Sequence, residues 1–350
     1  MQIAVDAMGG DYAPRSAVEG AFQAAMADGV RVVLVGEEGR LAAELARLGD
    51  HQGRLTIEPA DQTVAMEERA VAVRKKRNAS VRVAARLVKE GRAQAMVTAG
   101  HTGAALIAAK TVIGTIPGVA RPALAAVFPN RRGRTVVLDV GANVSTKAAH
   151  LRQFAVMGHF YAQEILHTPS PRIGLMSVGS EEGKGTELTR EVASVLRQTG
   201  LNFLGNVEGD DVFRGTVDVV VCDGFVGNVV LKTSEALVAY LLAVLKSQMG
   251  GSVRSRLGYM LARDAFGDIA RRTDWSEYGA APLLGLRGGC LIGHGRSNAK
   301  AIANAVRRAV EFCAADLHNK ISAKMMVLHA QERELLGTLT PGPSPRGRGE

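Results

Sequence analysis

The feature that most restricts this chain is a recurring unit. A short apolar run is followed by a turn of glycine and small polar residues, then by a longer amphipathic stretch. The runs are Ile3–Val5, Val32–Val35, Ala95–Val97, Val136–Leu138, Ile173–Val178 and Val217–Val221. Several are apolar at successive positions, as parallel strands covered on both faces require. Between them Ser16–Ala27, Gly39–Leu48, Val81–Glu90, Ala148–Leu166 and Thr186–Thr199 carry helical spacing. This alternation predicts an α/β fold, a doubly wound α/β/α sandwich. Ligands of such a sheet sit beyond the carboxyl ends of the strands, where turns meet helix N-termini.

Five of those strand ends carry the notable turns: Asp6–Asp11, Thr98–Gly103, Asp139–Asn143, Gly179–Thr186 and Cys222–Asn228. One such turn is commonly just a tight bend permitted by glycine. Five are expected to lie in register around one sheet edge. From about Ser234 the pattern changes to long helices, Ser234–Gln248 and Val253–Ala270, expected to protrude as a helical segment near 235–275. Turn chemistry returns at Tyr278–Gly295, and helices Ala299–Leu317 and Ser322–Leu336 follow. Residues 1–337 are read as a single α/β domain, and 338–350, ending TPGPSPRGRGE, as a disordered Pro/Gly/Arg tail.

Composition narrows the function classes. The chain has 350 residues and 43 Lys and Arg against 34 Asp and Glu, a net charge of +9 that favours anionic partners. Only 4% of residues are aromatic, too few for the stacking platforms of nucleic-acid readers, so no nucleic-acid partner is expected. The cysteines, Cys222, Cys290 and Cys313, form no CxxC pair, which fits a reducing compartment. The opening MQIAVDAMGG reads as a strand, not a signal peptide. The longest clean apolar run, Ala236–Leu245, falls short of the roughly 20 residues a membrane span needs.

Glycine turns at helix N-termini favour phosphate. Yet Gly179–Thr186 is not a Walker A loop, because three residues separate Gly179 from Gly183 and Gly185 follows Lys184. Met8-Gly9-Gly10-Asp11 is not a dinucleotide fingerprint either. His101, His294 and the carboxylates Asp6, Asp11, Asp139 and Asp223 have no metal-ligand spacing, and capping or turn-pinning is their alternative role. No metal and no cofactor are expected.

The motifs IAVDAMGGD, TAGHTGA, RPALA with LDVGAN, GSEEGKG, GNVEGDD, VCDGFVGNVVLKTSE and YGAAPLLGLRG followed by HG occur in that order between Ile3 and Cys313. In this the chain resembles the bacterial phosphate acyltransferase family, the acyl-[acyl-carrier-protein]:phosphate transacylases of phospholipid synthesis. It departs from the family at His101, Arg69 and Ala79, where Asn, Pro and Ser are usual. The resemblance implies a homodimeric fold similar to phosphotransacetylase and the isocitrate dehydrogenase group. It also implies transfer of a long acyl group from a carrier-protein thioester to inorganic phosphate. The acyl phosphate would feed a membrane glycerol-phosphate acyltransferase, and the enzyme would be cytoplasmic, held peripherally at the inner membrane face. A phosphotransacetylase-like enzyme acting on acyl-coenzyme A is the alternative, with a scaffold for lipid-synthesis enzymes as a non-catalytic one.

On that chemistry bound phosphate attacks the thioester directly, which needs proximity and a stabilised oxyanion rather than a protein nucleophile. Lys184 is the candidate for the phosphate or oxyanion charge, with Lys232 adding to it. Asn228 and Asn143 are candidate neutral donors, and His101 or His294 would move protons. Gly100, Thr102, Gly141, Asp139 and Asp223 are candidate substrate-binding positions. The basic run Arg74-Lys75-Lys76-Arg77 would dock the acidic carrier protein; Arg131, Arg132 and Arg134 form a second run. Leu257, Met260 and Leu261 recur near helical spacing beside arginines and would touch lipid, with core or dimer packing as the alternative.

Overall fold

A computed structural model describes the chain except residues 251–252, 274–275, 277–278 and 340–350. Eleven strands form one sheet: β1 (Gln2–Asp6), β2 (Arg31–Gly36), β3 (Leu55–Pro59), β4 (Ala95–Thr98), β5 (Ala123–Asn130), β6 (Gly133–Leu138), β7 (Ile173–Met176), β8 (Phe203–Val207), β9 (Val219–Val221), β10 (Ala281–Leu284) and β11 (Gly289–Ile292). Their order across the sheet is β3-β2-β1-β4-β11-β10-β5-β6-β9-β7-β8. The helices are α1 (Arg15–Asp28), α2 (Glu38–Leu48), α3 (Ser80–Lys89), α4 (Thr102–Ala108), α5 (Ala148–Glu164), α6 (Glu187–Arg197), α7 (Asp211–Arg214), α8 (Gly224–Gly250), α9 (Val253–Leu261), α10 (Arg263–Thr273), α11 (Ala299–Ala314) and α12 (Leu317–Leu339).

The α/β sandwich is present. One core layer packs Val83, Leu87, Ala105 and Ala108 of α3 and α4 on one face of the sheet, with Val226 and Val230 of α8 against it. Two more clusters cover the other face, Val18 and Ile302 of α1 and α11 at one end and Phe154, Leu196 and Ile321 of α5, α6 and α12 at the other. The six predicted strands are all there because runs such as Ile3–Val5 are fully buried. Ile173–Val178 stops at Met176, and Val178 is exposed. The tail expected from residue 338 begins inside α12, which ends at Leu339; residues 340–350 lie outside the described part.

The expected single edge of turns is corrected by the topology. β1, β2, β3, β4 and β11 run parallel, but β10 is antiparallel to β11, β5 to β10, and β6 to β5. β9, β7 and β8 then follow the direction of β6. The turns after β1 and β4 therefore lie at one end of the strands, and those after β6, β7 and β9 at the other. Two inserted strands, β10 and β5, each antiparallel to its neighbours, reverse the second half of the sheet.

The halves meet through little pairing. β10 bonds β11 through Ala281 and Pro282, and β5 through only Leu283 and Leu284. Past Leu124, β5 pairs on one side only, with β6. A split opens there. α8 starts beside the β6 turn, ten residues before the helix the sequence predicts, and runs back across the split. Its far half stands clear of the core, with Leu237, Tyr240 and Leu241 exposed. By length and composition alone Gly224–Met249 could cross a membrane (mean hydropathy 1.5), although its first turns pack against the core through Val226, Val230 and Leu231.

Candidate active site

A cavity of about 930 Å³ occupies the split, between α4, α8 and the floor of β5 and β10. It is large enough for a small-molecule site. One helical stripe of α8 forms a wall: Asn228, Leu231, Lys232, Glu235, Val238 and Leu242. Thr102, Gly103 and His294 reach it from the strand ends of the first half, and Gly141 from the second. The turns at opposite strand ends thus contribute to one cavity because α8 spans the distance between them.

The start of α8 is seated by close backbone approach. A side chain on Gly227 would overlap the Asp139 carbonyl oxygen, and one on Gly224 would lie 2.7 Å from that of Asn143. The Gly224 N–H donates to the Asn143 carbonyl at 2.8 Å. Gly141, at φ +140°, faces the Asn228 side chain, whose Oδ1 would stand 3.6 Å from an added Cβ.

Asp139 and Asn143 build this turn and do not line the cavity. Asp139 accepts from the N–H groups of Leu124 (3.0 Å), Gly141 (3.2 Å), Ala142 (2.9 Å) and Asn143 (2.7 Å), and from Asn143 Nδ2 (2.8 Å). Asn143 Nδ2 also donates to the Pro122 carbonyl at 2.8 Å. Burial pushes the Asp139 carboxyl up, against the pull of those donors. Asp223 accepts from the Val226 N–H at 2.9 Å, a capping contact at the first turn of α8.

The chemically dense part lies further along α8. Glu235 accepts from Lys232 Nζ at 3.0 Å and from His294 Nε2 at 3.1 Å. Partial burial alone would raise the Glu235 carboxyl, but hydrogen bonds and charge from His294 and Lys232 win and hold it at about 2. Asn228, Lys232 and Glu235 share a face because they fall at i, i+4 and i+7. Glu235 is the residue that sequence reasoning missed. Lys232 and Glu235 alone look like a surface ion pair, and only the fold adds His294.

The other expected residues divide. His101 caps α4, its Nδ1 accepting from the Ala104 N–H at 3.3 Å, and with Gly100 it lines a separate small pocket beside Asp6. Buried Asp6 accepts from Thr98 Oγ1 at 2.7 Å, and Thr98 Oγ1 in turn accepts from the Gly100 N–H at 3.1 Å. Lys184 is not among the cavity residues. Its side chain is 56% exposed and lies 3.8 Å from Glu181. Lys76 is tied to Glu68 and the Thr63 carbonyl, both at 2.7 Å. Arg74 and Arg77 instead join Arg82, Arg86 and Lys89 around a basic concavity of about 550 Å³. Lys75 is exposed beside it. Met260 and Leu261 are exposed; the Leu257 side chain lies outside the described residues. Among the described residues no three His, Cys, Asp or Glu side chains converge as metal ligands.

Comparison with known proteins gives this geometry its context. Residues 1–320 match the family described as "Fatty acid synthesis protein". The phosphate acyltransferase of Trichlorobacter lovleyi is 51% identical over 326 residues, covering 93% of this chain and 94% of that protein. That of Geotalea uraniireducens is 47% identical over 346 residues, covering 98% and 100%. Among solved structures, a phosphotransacetylase from Streptococcus pyogenes superposes with a TM-score of 0.59 at 20% identity, over 91% of this chain and 94% of that one. A branched-chain phosphotransacylase from Enterococcus faecalis gives 0.55 at 13%, over 89% and 99%. These structures share the fold, and the sequence relatives fix the rest: the chain belongs to the phosphate acyltransferases of the fatty acid synthesis protein family.

Proposed function

We propose that this chain transfers a long-chain fatty acyl group from acyl-[acyl-carrier protein] to inorganic phosphate, in the cavity beneath α8. An oxygen of bound hydrogen phosphate attacks the thioester carbonyl carbon, the carbon–sulfur bond breaks, and acyl phosphate leaves. The phosphate proton ends on the carrier thiolate, a competent leaving group with a thiol pKa of about 8.5. The observation that carries this reading is the Lys232–Glu235–His294 constellation, on the α8 side of a cavity lined mainly by apolar residues. Lys232 supplies the charge for the phosphate and oxyanion, Asn228 and Thr102 supply hydrogen bonds, and His294 moves the proton, held in place by Glu235. Lys184 has no part in the step.

The basic concavity at Arg74 and Arg77 receives the acidic carrier protein. The exposed apolar side chains of α8, such as Leu237, Tyr240 and Leu241, and those of α9, Tyr259, Met260 and Leu261, would meet a second copy of the chain and the inner membrane surface, where a glycerol-phosphate acyltransferase consumes the product. The deciding experiment incubates purified protein with palmitoyl-carrier protein and labelled phosphate. Label appearing in a hydroxylamine-sensitive acyl phosphate is the expected result. Its absence, or equal turnover of palmitoyl-coenzyme A, would replace this reading with the phosphotransacetylase-like alternative.

A further inference from the structure

The cavity does not stay on the α8 side of the sheet. Side chains alternate along β5, so Leu124 and Phe128 belong to the core layer under α4 and α8, while Ala125 and Val127 face the layer under α5. All four line the same cavity. So do Tyr161 of α5, Ile165 just beyond it and Phe312 of α11, which pack in or against the far layer. A cavity touching both faces of β5 must pass the strand. It does so where β5 has lost β10 as a partner, since β10 pairs only with Ala123 and Leu124.

The two ends of this passage differ in chemistry. On the near side are Lys232, Glu235 and His294. On the far side Tyr161 is buried and Ile165 and Phe312 are partly buried, and the exit is flanked by the Arg308–Glu311 ion pair at 3.3 Å. The alternative course for an apolar chain runs along α8 past Leu241 and Leu242, which are 50% and 36% exposed. A hydrocarbon chain loses more water contact, and so gains more, in the passage than on the open helix.

Resting on the reaction proposed above, we infer that the long acyl chain threads the split between β5 and β10 and lodges on the far face of the sheet against Tyr161, Ile165 and Phe312, which set the length accepted. Atoms near the thioester carbon stay on the α8 side with the phosphate. Short chains end before reaching Ile165, and long ones contact it.

The test compares kcat/KM for hexanoyl- and palmitoyl-carrier protein. Ile165→Trp is expected to lower the palmitoyl value at least tenfold and leave the hexanoyl value within twofold. Phe312→Leu, which enlarges the far end, is expected to raise turnover of chains longer than palmitoyl relative to palmitoyl. It carries the test if the tryptophan variant fails to melt like the wild type. Equal effects on both chain lengths in folded variants would overturn the inference. So would a chain-length-dependent loss produced by Leu242→Trp and not by Ile165→Trp, which would lay the chain along α8. Wild-type protein inactive with every acyl length would instead sink the underlying reaction.

Discussion

Two lysines in this chain follow glycine-bearing turns, and they end in different chemistry. Lys184 lies between Gly183 and Gly185 in the loop before α6; Lys232 lies two turns into α8. Their side chains are almost equally exposed, 56% and 53%, and each has a carboxylate neighbour. What separates them is the register of a helix. α8 is pinned at Gly224 and Gly227 against the β6 turn, so everything on the stripe of Asn228 faces the split in the sheet. No element carries Lys184 toward that split. A glycine-lysine-glycine turn is conspicuous in sequence, but a reaction needs the charge beside a cavity and a second group within reach.

The sharpest way to break the contrast is to remove the lysine on the stripe. Lys232→Ala should lower acyl-phosphate formation by about 10²–10³-fold, the usual loss when a donor to a developing oxyanion is removed. The fall should appear mainly in kcat. A turnover within threefold of wild type, measured at saturating phosphate, would take Lys232 out of the step.

Glu235 sharpens it further. Glu235→Gln keeps the size and a hydrogen-bonding oxygen but removes the charge that orients His294, and about a tenfold loss in kcat is expected. Linkage adds a second readout. The folded-state carboxyl is held at about 2, below its ordinary value near 4.3, so its stabilising effect is full above the ordinary value and fades as pH falls through about 2. Thermal melts of wild type and Glu235→Gln should differ most near neutral pH and converge between pH 5 and 2. A gap that stays constant across that range would mean the ion pairs contribute nothing to folding.

How much of this was legible follows from the same physics. Helices and six strands announce themselves because buried faces impose a period on apolar residues. β3 and β8 do not, because they are edge strands whose side chains, such as Thr56, Glu58 and Asn206, are partly solvated. β5 and β10, rich in alanine, leucine and proline, were equally quiet, yet they reverse half the sheet. Asp139 resembles a ligand because it is a carboxylate at a strand end; four bonds from its own turn and one from the Leu124 N–H of β5 occupy it instead. The link from Glu235 to His294 joins α8 to the turn after β11, a tertiary fact without a local sequence signal. The i, i+4, i+7 spacing of Asn228, Lys232 and Glu235 was available as a hint of one shared face.

Away from the cavity the effects should be smaller and of another kind. Arg74 and Arg77 are exposed around the basic concavity, whereas Lys76 is already bound to Glu68. Arg74→Glu with Arg77→Glu should raise KM for the acyl-carrier protein about fivefold at low salt and leave kcat alone. The difference should shrink as salt screens exposed charges beyond about 10 Å at 0.1 M. If KM stays at the wild-type value in low salt, the carrier docks elsewhere.

The smallest expected effect returns to the other lysine. Among the described residues the Lys184 side chain pairs with one exposed neighbour, Glu181, at 3.8 Å, an arrangement worth little in water. The loop keeps its shape without that side chain, because Asn206 Nδ2 donates to the carbonyls of Glu181 (3.1 Å) and Lys184 (3.3 Å) and the Lys184 N–H donates to the Glu181 carbonyl at 3.0 Å. Lys184→Ala removes none of those bonds. Turnover and melting temperature should therefore stay within twofold and within about 2 °C of wild type, the scale of an ordinary surface change. A loss of tenfold or more would mean that the loop before α6 moves to the cavity during catalysis, and that register along α8 alone does not decide which lysine reacts.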